Sequence, residues 1–209
     1  MDNDINKWLT TGLRASVART KQTNSVDGSG AIYNALNQLP EVPARNPDGS
    51  FGMQTENMYG TYFSNPLSDL IQNENYSRST QVYVNAFADI KLWKGLVFRT
   101  EYAANYNYNT GYRFTPSYDY EFFKQQSSAS RSAGNGSNWT LKTYLTYNGT
   151  FGKHNVSVMA GHEAQENNWE SLDGSRTNFL FNSVHELNAG DATTAKANSS
   201  RGSSAIESY

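Results

Sequence analysis

Between Asn138 and Glu166 the chain reads NWTLKTYLTYNGTFGKHNVSVMAGHEAQE, two alternating segments joined by a tight turn at Gly152-Lys153. In the first segment Leu141, Thr143, Leu145, Tyr147, Gly149 and Phe151 share one face, and Thr140, Lys142, Tyr144, Thr146 and Asn148 share the other. In the second, Val156, Val158, Ala160 and Ala164 alternate with Ser157, Gly161, Glu163 and Gln165. A period of two predicts a β-hairpin with one apolar and one polar face.

Such a hairpin fits a sandwich whose apolar face meets a core, or a membrane barrel whose apolar face meets lipid. Strand length favours the second. Twelve steps from Trp139 to Phe151 at roughly 3.3 Å span about 40 Å, and a tilt near 45° reduces this to about 28 Å, close to a bilayer core of about 30 Å. Strands of soluble domains usually run about 5 or 6 residues. Trp139 and Phe151 stand at opposite ends of the apolar face, where a barrel carries its aromatic girdles.

Composition sets further limits. The 209 residues are 37% hydrophobic and 17% charged, enough for one large domain or two small ones. The mean hydropathy is −0.71. No run of about 18 apolar residues occurs, which excludes a helical span but leaves half-polar barrel strands allowed. A net charge of −2 gives no reason to expect a nucleic-acid partner. The lack of cysteine excludes disulfides and thiolate metal sites. The opening MDNDINKWL is polar and acidic, so a route to an outer membrane requires a targeting segment upstream of Met1.

Alternation predicts strands at about 8–20, 79–92, 96–108, 139–151 and 154–166, with the start of another at 204–209. The segment AIYNALNQL from Ala31 predicts a short helix stopped by the prolines at 40, 43 and 47. The run SSASRSAGNGSN from Ser127 reads as a mobile loop tip. Connections then alternate long, short, long, short, long. An up-and-down meander with that order has all its short turns at one end, as in outer-membrane barrels with short periplasmic turns and long extracellular loops. The fold class is all-β, an antiparallel meander of about five to six long strands.

These pieces resemble a known family. PEVPARNPDGSFG from Pro40, the later Asn65-Pro66-Leu67, the strand end LWKGLVFRTEYAANY from Leu92 and the hairpin TYNGTFGKHNVSVMAGHE are similar to the barrel of SusC/RagA-type TonB-linked outer-membrane proteins of Bacteroidetes. The resemblance covers nearly the whole chain. It implies a transmembrane barrel of about 22 strands around a plug, energised through TonB and importing oligosaccharides or peptides with a SusD-like surface lipoprotein. On that pattern, residues 1–209 form a partial barrel domain lacking the plug domain. They would be unable to transport alone, because a membrane sheet must close. The alternative is a small β-barrel or β-sandwich surface-binding or adhesin module without transport. An enzyme is the third reading, and no Ser, His and acid set at catalytic spacing supports it.

Candidate site residues follow from the same alternation. Asp89, Lys91, Arg99, Glu101, Lys142 and Glu163 fall on the polar face, either as a lumen lining or as cross-strand pairs, and Arg99 and Glu101 are placed to pair locally. Tyr59, Tyr62, Phe63, Tyr112, Phe114, Tyr118, Tyr120 and Trp169 either stack on solute or pack the long loops. His154, His162 and His185 match no metal-ligand spacing, and His162 falls on the apolar face. No catalytic residue, metal site or cofactor is assigned, and the substrate-binding residues are unassigned.

Overall fold

In the computed structural model, residues 2–23, 28–55, 63–120 and 123–209 are described. In chain order these give β1 (Asp2–Asp4), β2 (Leu9–Thr23), α1 (Gly28–Asn37), α2 (Pro66–Gln72), β3 (Glu74–Trp93) and β4 (Leu96–Thr115). Then come β5 (Tyr118–Tyr120), β6 (Phe123–Gln125), β7 (Ser128–Phe151), β8 (His154–Thr177) and β9 (Lys196–Ser208). All pairings are antiparallel, and the main sheet has the order β1-β2-β3-β4-β7-β8-β9. A separate β5-β6 hairpin sits in the loop between β4 and β7. Sequence neighbours are therefore sheet neighbours, and the meander is observed.

Three short connections fall at one end of the sheet: residues 5–8 between β1 and β2, and the turns after β3 and β7. Gly95 and Gly152 take φ of 79° and 62°, a left-handed conformation that favours glycine and lets two-residue turns reverse the strands. The three longer connections lie at the opposite end.

Register aligns the apolar face across five strands. Leu9 lies opposite Ile90, Ile90 opposite Phe98, Phe98 opposite Leu145 and Leu145 opposite Ala160. Higher rows run Leu13, Ala86, Tyr102, Leu141, Ala164 and Ala15, Val84, Ala104, Trp139. These side chains are not covered by a second layer: Val17 is 70% exposed, and Leu13 and Val158 are each 57% exposed. A continuous apolar face of this size is too large for ordinary exposed surface and calls for an apolar surrounding.

The strands are longer than the alternation predicts. β3 and β4 have 20 residues each, and β7 and β8 have 24 each. The added length lies toward the long loops. Residues 128–138, which read as a loop tip, form the first half of β7, paired with β4 on one side and β8 on the other. Ladder hydrogen bonds to two neighbours override the weak strand propensity of Ser, Gly and Asn.

A small core sits on this upper extension. Tyr112, Phe114, Ala129 and Phe179 are buried together, with Tyr76, Leu187 and Ala189 packed around them. By parity Tyr112, Phe114 and Ala129 belong to the same face that is apolar and bare lower down. Here the connection at 178–195 folds back over it. Ser127 ties that connection down: its Oγ accepts from the Phe179 amide at 2.8 Å, and its carbonyl accepts from the Asn178 amide at 3.0 Å. Arg131 adds a contact in which its Nη2 donates to both carboxylate oxygens of Glu186, at 2.8 and 2.9 Å.

The first long connection contains the predicted helix, α1, and a second, α2, which alternation does not reveal. Asn65 caps α2, its Oδ1 accepting from the amides of Leu67 and Ser68, while Pro66 occupies the first turn where no amide is needed.

Candidate functional site

The polar face carries the charged residues in two adjacent rows. One row runs Phe87, Glu101, Lys142, Glu163, and the next runs Asp89, Arg99, Tyr144, Gly161. Arg99 reaches Asp89 at 3.4 Å and Glu101 at 3.5 Å, so the local pair read from the sequence forms and gains a third member. Asn85 donates to Glu101 at 2.7 Å, and Lys142 lies 3.3 Å from Glu163. The signs alternate across the strands, so the wall largely neutralises itself. Lys91 is on the same face, opposite Val97.

Glycines let aromatic rings lie flat on this face. A Cβ on Gly12 would fall 2.1 Å from the Phe87 ring, and the Arg99 guanidinium stacks 4.3 Å from the centre of that ring. Further up, Trp169 covers Gly202 in the same manner, a Cβ there meeting the indole at 2.6 Å. Trp169 has the parity of Glu163 and is 52% exposed. One face of its indole is thus backed by backbone, with the side chain open to the space in front of the polar wall.

The other sequence-nominated aromatics divide differently. Tyr112 and Phe114 are buried, Phe114 at 1% exposure, so they pack the fold and cannot meet solute. The Tyr118 hydroxyl meets Ser68 Oγ at 3.2 Å, and Phe63 packs edge-on against Tyr33. Tyr59 and Tyr62 lie outside the described residues, as does the side chain of Tyr120.

Two of the three histidines take structural positions, while His154 is exposed at the start of β8, opposite Phe151. His162, on the apolar face, lies 4.9 Å from the ring of Tyr209. His185 stacks on Phe114 at 4.0 Å, with Nδ1 3.4 Å from Glu74 and Nε2 2.6 Å from the Asn182 carbonyl. Among the described residues no group of three His, Asp or Glu side chains is placed to hold a metal.

The NPDGS segment forms a miniature hairpin. Arg45 bridges Phe51, Gly49 takes φ of 85°, and the Asn46 amide donates to the Ser50 carbonyl at 2.8 Å. The Ser50 hydroxyl and amide both donate to Asp48, which holds its carboxyl below the usual carboxylate range. The side chain of Asn65, 2% exposed, donates to the carbonyls of Gly52 at 2.8 Å and Ala44 at 3.1 Å. One buried amide therefore joins the hairpin to the start of α2. That is why the two motifs, some twenty residues apart in the sequence, belong together.

No family model matches the chain. Among curated proteins, TonB-dependent receptor P3 of Formosa agariphila is 26% identical over 208 residues, covering 95% of this chain and 20% of that protein. TonB-dependent receptor P39 of the same organism is 27% identical over 207 residues, with coverages of 93% and 19%. The chain spans about a fifth of the length of these relatives. The structure of the RagAB peptide transporter superposes with a TM-score of 0.71 at 17% identity, over 99% of this chain and 24% of that one. The RagAB peptide importer gives 0.75 at 17% identity in its open-open state, over 98% and 23%, and 0.72 at 18% identity in its closed-closed state, over 97% and 24%. In sequence the chain is thus similar to TonB-dependent receptors over about a fifth of their length, and its run of adjacent antiparallel strands has the fold of the matching part of the RagAB structures.

Proposed function

We propose that residues 1–209 form part of the wall of an outer-membrane transporter that imports oligosaccharides or peptides, is driven through TonB and works with a SusD-like surface lipoprotein. In this reading the plug and the TonB-contacting segment come from regions other than 1–209. The observation that carries it is the apolar face, aligned over five long strands and left bare, opposite a polar face of paired charges. A bilayer outside and a wet lumen inside satisfy both at once. Among the described residues no helix is long and apolar enough to cross a membrane, which leaves the strands to do so. The relatives carry receptor and transporter names, which favours uptake over catalysis. The sandwich alternative is less favoured, since no second large sheet packs on the main one among the described residues.

Trp169 is the residue assigned to solute contact, because its open indole stands over the polar wall at the long-loop end. Fractionation of the native host places the protein in the outer membrane, and deletion of its gene abolishes growth on one glycan or peptide source. Trp169→Ala leaves insertion intact and raises the half-saturating solute concentration about two- to tenfold, the loss expected for one stacking contact. An inner-membrane or cytosolic location overturns the transporter reading. Unchanged uptake kinetics in the variant overturns only the role of Trp169.

A further inference from the structure

On the apolar face the pattern changes sharply near the long-loop end. In β2 the series Leu9, Thr11, Leu13, Ala15, Val17 gives way to Arg19 and Lys21. In β3 the series from Leu92 to Val82 gives way to Thr80 and Arg78. Register sets the basic residues side by side, Arg19 opposite Thr80 and Lys21 opposite Arg78. Tyr108 continues the row of Arg19 into β4, and Tyr106 lies one row lower on that face, opposite Val82. The basic residues thus stand level with the tyrosines that close the apolar band.

All three are exposed, and none has a carboxylate partner among the described residues. Lys21 and Arg78 lie 5.1 and 5.2 Å from the centre of the same Tyr76 ring, so one aromatic ring serves two cations. This differs from the polar face, where Arg99 and Lys142 are each matched by acids. Parity also keeps the three off the route of any solute in the lumen, because they point to the surroundings of the barrel.

We propose that Arg19, Lys21 and Arg78 bind the phosphate groups of outer-leaflet glycolipid packed against the barrel. The site rests on the outer-membrane reading above. Tyrosines mark the boundary between acyl chains and headgroups, and headgroup phosphates lie just beyond that boundary, where the cluster stands. Guanidinium forks and a lysine ammonium suit phosphate oxygens, and the low dielectric beside the acyl layer strengthens the attraction. Tyr76, Tyr106 and Tyr108 supply ring faces and hydroxyls for the sugar that bears the phosphate.

The test uses the whole receptor purified from its own outer membrane and placed in nanodiscs of neutral phosphatidylcholine. Bisphosphorylated lipid A is titrated against its phosphate-free counterpart, with inorganic phosphate as a competitor. The protein is expected to take up the phosphorylated form selectively, and inorganic phosphate to compete poorly, since the acyl chains supply much of the binding. The combined variant Arg19→Gln, Lys21→Gln, Arg78→Gln is expected to bind about a hundredfold more weakly, each basic group at an anionic surface being worth a factor of about five. Arg14→Gln, on the polar face, is expected to change nothing. Equal binding by the triple variant, or no preference for phosphate, overturns the site while leaving the barrel reading in place. A protein that fractionates away from the outer membrane overturns both.

Discussion

The two halves of the long strands share one hydrogen-bonded ladder but solve the problem of their outer face in different ways. In the lower half Leu13, Val17 and Val158 are left bare, and the polar face is filled with charge pairs. In the upper half the same face is covered by the chain itself, as residues 178–195 fold over Tyr112, Phe114 and Ala129. In the proposed membrane reading, the contrast marks where the apolar surroundings stop. Below that level an exposed apolar side chain is stabilising in lipid, and above it the same kind of side chain must be buried by protein.

The largest expected effect tests whether the upper core is a true core. Phe114 is almost fully buried, stacks on His185 at 4.0 Å and meets Phe179 edge-on at 5.6 Å. Phe114→Ala should cost about 3 to 5 kcal/mol of local stability. Hydrogen exchange should then speed up at 128–137 and 178–195 while the lower strands keep their protection. Equal acceleration in both halves would show that they open as one unit and would break the comparison.

The lower half is tested by placing a charge on each face in turn. Val84 lies mid-band on the apolar face, and Tyr83 is its neighbour on the polar face. Val84→Arg in the intact protein should cost roughly 2 to 4 kcal/mol if this face meets a bilayer, as for an arginine at the midplane, whereas Tyr83→Arg should cost much less. Urea unfolding in lipid vesicles reads both. Equal costs would remove the distinction between the faces.

This division also explains what could be read from the sequence. Where one face is apolar and the other polar, each strand alternates, so β3, β4, β7 and β8 are visible from Val82 to Ala164 with parity and order intact. Higher up, both faces carry polar residues, and nothing in SASRSAGNGSN distinguishes a strand from a loop. Its pairing is set by neighbours distant in sequence. The polar-face pair of Arg99 and Glu101 was legible because both residues lie on one strand. The recruitment of Asp89 and Asn85 depends on the register between β3 and β4. Tyr112, Phe114 and Trp169 look alike in sequence as loop aromatics. Two are buried and one is open, and the difference is made by the fold of 178–195 and by Gly202.

A smaller effect concerns the long-loop end. Asn65→Ala removes a helix cap and two hydrogen bonds to the NPDGS hairpin. The cap alone is worth about 1 kcal/mol. The expected result is faster proteolysis within 40–72, with no change at 128–151. Protection in that region should return in part with Asn65→Asp, which keeps the cap acceptor but lacks the donor.

The smallest effect lies on the polar wall. Lys142 and Glu163 are directly opposed on β7 and β8, 3.3 Å apart, and both side chains are partly open to solvent, which screens the pair. Cross-strand pairs of this kind contribute roughly 0.2 to 1 kcal/mol. A double-mutant cycle with Lys142→Ala and Glu163→Ala should return a coupling in that range, falling as salt is raised. A larger, salt-insensitive coupling would mean that the wall is drier than its exposure indicates, as it would be with a plug pressed against it. The cycle thus separates a water-filled lumen at this level from an occupied one, since only contact with another element could shield these two groups from the bulk.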